Sequence, residues 1–156
     1  MANEVNKWVQ EGHLWVWRYR NPSSNCRGWH FSADPPGCRS VMRLLDGMGG
    51  GPACHRTLSL ASVTEDVLSV PNYSRQPLGR FDRLRIEFQP DVLDLTLNPD
   101  DDRLVLVVGN ARLRKLVAAF ADVEIGGGDF GIATSDSRRS DPWMFWWPPR
   151  AFWKST

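Results

Sequence analysis

Lysine is scarce in this chain, with 3 residues against 16 arginines. Such a skew follows either from a GC-rich coding sequence or from selection for bidentate arginine contacts at a surface. Cysteine is sparse as well. Cys26, Cys38 and Cys54 are odd in number and too few for a disulfide framework, so free thiols are expected. No run approaches the length of a membrane-spanning helix, which excludes one and leaves no membrane partner to expect. The start, MANEVNKWVQEG, lacks a basic segment followed by an apolar stretch and a small-residue cleavage site. A cytoplasmic location is the expectation. Tryptophan, finally, is absent from the whole stretch between Trp29 and Trp143.

What is present fits one α+β domain over residues 1–156. That length is ordinary for a single domain, and 42% apolar residues supply a core. The formal net charge of +1 gives no prior for nucleic acid. Its distribution is uneven. Residues 1–60 carry 7 basic and 4 acidic side chains, 61–130 carry 8 and 12, and 131–156 carry 4 and 2. An acidic middle therefore separates two basic ends. Eight tryptophans sit in those ends, which predicts one aromatic region built from both termini.

Periodicity places the elements. Residues 3–10 read as a short helix with Val5, Trp8 and Val9 on one face. LWVWRYR, 14–20, reads as a strand with Trp15, Trp17 and Tyr19 on one face and Leu14, Val16 and two arginines on the other. GWHFS, 28–32, is its hairpin partner. Asp34 caps a helix opening with Pro35 and Pro36, with Val41, Leu44, Leu45 and Met48 inward, that stops within Gly47–Gly51. TLSLA, 57–61, reads as a strand, and a helical turn follows Thr64 and ends at Pro71. FDRLRIEF (81–88), Val92–Leu97 and Leu104–Val108 read as an antiparallel meander turned by QPD and NPDDD. Asn110 caps the most amphipathic helix, with Leu113, Leu116, Val117 and Phe120 on one face. FGIAT (130–134) and WMFWW (143–147) close the chain as strands. Short connections then predict a mainly antiparallel sheet of about six to eight strands with two main helices.

The chemistry-bearing residues give weak signals. Cys26, His30, Cys38, Cys54 and His55 cluster in sequence, yet no pair has the CxxC spacing of a zinc knuckle, so no metal and no cofactor are expected. Cys54 with His13, His30 or His55 is a conceivable nucleophile and base, without a GxSxG elbow to support any nucleophilic site. GMGGGP and GGGDFG lack the GK[ST] of a phosphate loop and read as flexible connections. NPDDD lacks the spaced ligands of a calcium loop. The interleaved WRYR with Arg27 is the pattern of a single-stranded nucleic-acid surface, set against the near-neutral charge.

The tryptophans have two readings. They fill the core, or two or three of them form a contact patch, since rigid aromatics dominate protein interface hot spots. Trp15 and Trp17 suit the core. Trp147 and Trp153, beside PPR and near the end, suit a surface. The candidate binding residues are Trp143, Trp146, Trp147, Trp153, Arg150, Trp29, Arg18 and Arg20.

The helix GCRSVMRLLDGM, the stretch RTLSL followed later by VPN, and the ending GGGDFGIA…DPWMFWW carry a resemblance. Over residues 28–147 the chain resembles small uncharacterised bacterial proteins with a GD-aromatic turn before a terminal aromatic WW strand. The resemblance implies a bacterial source and no catalytic residues. The expected function is a non-catalytic, cytoplasmic protein-binding domain with a protein partner, of the immunity or antitoxin type. The alternatives are a small Cys/His-dependent enzyme or a single-stranded nucleic-acid binder.

Overall fold

The elements run α1 (Ala2–Lys7), β1 (Leu14–Trp17), β2 (His30–Ala33), α2 (Pro35–Met48), β3 (Cys54–Ser59), α3 (Glu65–Ser69), β4 (Arg83–Phe88), β5 (Thr96–Asp100), β6 (Arg103–Val108), α4 (Asn110–Glu124), β7 (Phe130–Ile132) and β8 (Trp143–Trp146). The structure, a computed structural model, describes residues 2–23, 26–71 and 76–149. Among them no helix is long and apolar enough to cross a membrane.

The order of elements matches the expected one, but the sheet does not. Eight strands form two mixed four-stranded sheets, β1-β2-β8-β7 and β3-β4-β6-β5, in place of one mainly antiparallel sheet. Each sheet has one parallel pair at its centre, β2 with β8 and β4 with β6. The meander fails for a physical reason. β4 and β6 each offer three inward apolar residues, and the parallel register sets them side by side as Leu84↔Leu104, Ile86↔Leu106 and Phe88↔Val108. β5 buries only Leu97 and carries Pro99, so it suits an edge and not a centre. It accordingly pairs with the far side of β6. NPDDD is only partly a turn: Asn98, Pro99 and Asp100 lie in β5, and Asp101 turns the chain at φ 56°.

Strand alternation sorts the apolar residues into two cores. The larger takes Leu14 and Val16 from β1, Phe31 and Ala33 from β2, Trp143 and Phe145 from β8, and the inward residues of the second sheet. Helices α2 and α4 pack into it through Val41, Leu44, Leu45 and Met48, and through Leu113, Leu116, Ala119, Phe120 and Val123. The reverse face of the first sheet forms the smaller core from Trp15, Trp17, Tyr19 and Trp146, closed by Val67 and Leu68 of α3. Both faces of β1 and β2 are therefore dry. Helix α1 ends at Lys7, which leaves Val9 at 70% exposure and outside the apolar face expected for it.

One carboxylate fixes the geometry at the start of α2. Asp34 Oδ1 accepts from Gly37 N at 2.9 Å, capping the helix, and from His13 N at 2.8 Å. Its Oδ2 meets His13 Nδ1 at 2.7 Å. Position 37 tolerates only glycine, because a Cβ there would stand 2.2 Å from the His13 carbonyl oxygen. The sequence assigns Asp34 the cap; the tether to His13 is long-range and has no local signal. Replacing Asp34 with alanine removes the cap and leaves the buried amide of Gly37 and the part-buried amide of His13 without an acceptor. The expected loss is about 2 kcal/mol or more in urea denaturation. Asp34→Asn, which keeps one acceptor, is expected to lose less.

Candidate functional site

The two ends of the chain meet. β8 lies against β2, and β2 against β1, so rings from both segments share one neighbourhood. His30 stands at its centre and is fully buried. Its imidazole stacks on Trp17 at 5.6 Å and on Trp146 at 6.1 Å, and Tyr19 meets it edge-on at 4.9 Å. Trp146 Nε1 donates to His30 Nδ1 at 2.9 Å, and an indole N–H can only donate. Nδ1 is therefore the acceptor, and Nε2–H donates to the Cys26 carbonyl at 3.0 Å. Both nitrogens of a neutral ring are engaged. Burial holds its pKa below the ordinary histidine value, against a smaller opposing effect of the Cys26 carbonyl.

The expected contact residues divide sharply. Trp143, Trp146 and Trp29 are 3%, 7% and 8% exposed, which corrects their placement on an open patch. The cause is the doubly buried sheet: whichever way a β8 side chain points, it meets a core. Trp29 is closed off by Phe81, edge-on at 6.0 Å, and by Arg18, whose guanidinium lies 4.7 Å above the indole. Arg20 is exposed and Trp147 half-buried. Arg150 and Trp153 lie outside the described residues.

Trp147 is held in place. Its Nε1 donates to the Gly126 carbonyl at 2.6 Å, and a Cβ at Gly128 would stand 2.7 Å from the ring. The glycine run 126–128 is thus fitted to an indole, not left as a slack connection. Ile125, 83% exposed, and Trp147 line the same shallow pocket.

Three of the expected residues do converge. Arg18, Trp29 and Trp143 line one cavity of about 370 Å³ with Tyr19, Leu78 and Asp141. The Arg18 side chain is half-buried, and its Nε is shielded from water without a hydrogen-bond partner among the described residues. Exposed Arg20 and Arg27 follow it along the chain. A larger groove of about 560 Å³ lies beside Trp17 and Phe81. Its rim carboxylates Asp82 and Asp102 are both already paired with Arg83.

Among the described residues no hydrogen bond joins Cys54 to His13, His30 or His55. His13 is bound to Asp34 and not to a thiol. Burial raises the Cys54 pKa, and burial together with nearby Glu124 and Asp34 pushes the Cys38 thiol up to about 12. Among the described residues no three His, Cys, Asp or Glu side chains are grouped to hold a metal ion. No family model, curated protein or solved structure matches the chain.

The His30 geometry sets a pH dependence. Its folded pKa is depressed, so the unfolded chain binds the extra proton first as pH falls. The stabilising contribution is complete above about pH 6.5 and declines below it, by at most about 1.4 kcal/mol per pH unit until the folded pKa is passed. Denaturation midpoints at pH 5 and pH 7.5 measure this. His30→Gln, which retains a donor and an acceptor but cannot charge, is expected to show a smaller difference between the two.

Proposed function

We propose that this chain is a non-catalytic protein-binding domain. Its concrete form is an immunity- or antitoxin-type protein of the bacterial cytoplasm that occludes a partner. One observation carries the reading: arginine and tryptophan, the residues that dominate interface hot spots, converge on an open cavity whose arginine is stacked but not hydrogen-bonded through its Nε. Pre-stacking lowers the entropy lost when such a side chain is immobilised by a partner. Trp147 and Ile125 add an apolar contact at a second corner.

The thiols weigh against a Cys/His enzyme. A nucleophilic cysteine works as the thiolate, and both Cys38 and Cys54 are shifted towards the thiol. His30 has no free nitrogen with which to take a proton.

Crosslinking in the host followed by purification tests the proposal. A stoichiometric protein partner is expected. Recovery of a defined small ligand with no such protein, or of single-stranded nucleic acid whose affinity falls steeply with salt, would count against it. In parallel, Cys54 is expected to react with iodoacetamide at pH 7 more slowly than a model thiol. Rapid alkylation of Cys54 would restore the enzyme reading.

A further inference from the structure

We propose that the Arg18 cavity is a carboxylate receptor, occupied by an aspartate or glutamate side chain of a partner protein. The inference rests on the protein-binding reading and gives that surface its chemistry. Arg18 is the centre of the argument. A half-buried guanidinium normally satisfies its donors with carboxylates or carbonyls, as Arg56 does with the Val5, Asn6 and Trp8 carbonyls and Arg85 with Glu87 at 2.7 Å. Arg18 has neither kind of acceptor among the described residues, and its Nε is buried unpaired. Its guanidinium carbon instead lies over the Trp29 ring, 4.7 Å from the centroid. With its Nε sealed from solvent, Arg18 offers its two terminal nitrogens, which have no acceptor among the described residues, and a carboxylate completes them with two parallel hydrogen bonds.

The surroundings select the occupant. Tyr19, Trp143 and Leu78 give the cavity apolar walls that suit the methylene stem of an acidic side chain. About 370 Å³ is room for one side chain and its backbone, not for a long segment. Arg20, two residues beyond Arg18, and Arg27, next to the lining residue Gly28, are exposed and add positive charge close by in sequence. Asp141 lines the same cavity and is a like charge towards the incoming group. Arg18 supplies the cation of the lining, and a carboxylate in the same wall is an acceptor for a backbone N–H of the same partner segment.

The test needs no identified partner. The full chain, labelled with ¹⁵N, is titrated with the acetylated, amidated tripeptide Leu-Glu-Leu and with its Leu-Gln-Leu counterpart. The Arg18 Nε–H resonance, assigned by its loss in Arg18→Lys, is expected to shift saturably with the glutamate peptide. The glutamine peptide is expected to bind about tenfold more weakly or worse, because it keeps shape and loses charge. Arg20→Gln together with Arg27→Gln, both at exposed positions, is expected to weaken the glutamate peptide and make its affinity less sensitive to salt. Equal binding of the two peptides, an Arg18 resonance unmoved at about 10 mM peptide, or tighter displacement by a tetranucleotide than by the glutamate peptide would each overturn the proposal. Its failure is separable from that of the wider reading. A partner recovered from the host whose complex leaves the Arg18 resonance in place refutes the carboxylate site alone. Saturable binding of the glutamate peptide with no protein recovered refutes the protein-binding reading and with it the partner protein as occupant, while the carboxylate chemistry of the cavity stands.

Discussion

The pairing of β2 with β8 is the contact on which the rest of the structure depends. Three residue pairs, His30↔Met144, Phe31↔Phe145 and Ser32↔Trp146, join segments separated by most of the chain. Loop-closure entropy grows slowly with length, about 0.6 kcal/mol per doubling, so such a distant pairing is affordable if its rungs are strong. They are. Phe31 stacks on Phe145 at 5.0 Å and meets Trp143 at 5.0 Å, while Phe120 of α4 closes on Phe145 edge-on at 5.3 Å. Each such ring pair contributes about 0.5–1.5 kcal/mol beyond its buried area. On the opposite face the same pairing delivers the Trp146 N–H to His30. Without β8, His30 loses its donor and the Arg18 cavity loses the wall supplied by Trp143.

Much of this fold was legible in period and punctuation. The cap, the paired prolines and the inward residues of α2 stand where the sequence places them, because each depends on neighbours within a turn. The separation of Trp15 and Trp17 from Leu14 and Val16 followed from strand alternation alone. Strand partners were not legible in the same way. QPD and NPDDD announce turns but carry no information on which strand lies beside which. The parallel β4–β6 pair is decided by matched apolar rungs and by the proline in β5, and these become visible only when all three strands compete for the same positions.

The tryptophans show the same limit from another side. Their gathering at both ends pointed to the shared cluster of Trp15, Trp17 and Trp146, while Trp8, Trp29 and Trp143 join the other core. Burial could not be read, since an apolar residue on each face of β8 signals either surplus aromatic surface or a strand with two cores. Here it is the latter: Trp143 and Phe145 belong to one core and Trp146 to the other. The arginine over Trp29 and the carboxylate holding His13 arise from contacts between distant turns, with no motif to announce them.

Which groups remain reachable bears directly on the proposed binding role. A catalytic side chain must be both able to change protonation near neutrality and open to substrate. His30 is sealed with both nitrogens engaged, and Cys38 is sealed with its proton held more firmly than in water. The Asp34 carboxylate that meets His13 is at the same time committed to the cap of α2 and to the His13 amide, so any displacement of that pair is opposed by the helix itself. The arginine that lines the open cavity is Arg18, its guanidinium stacked over Trp29. A planar guanidinium is suited to recognising an acceptor and not to relaying a proton, so its charge and geometry fit the proposed binding role.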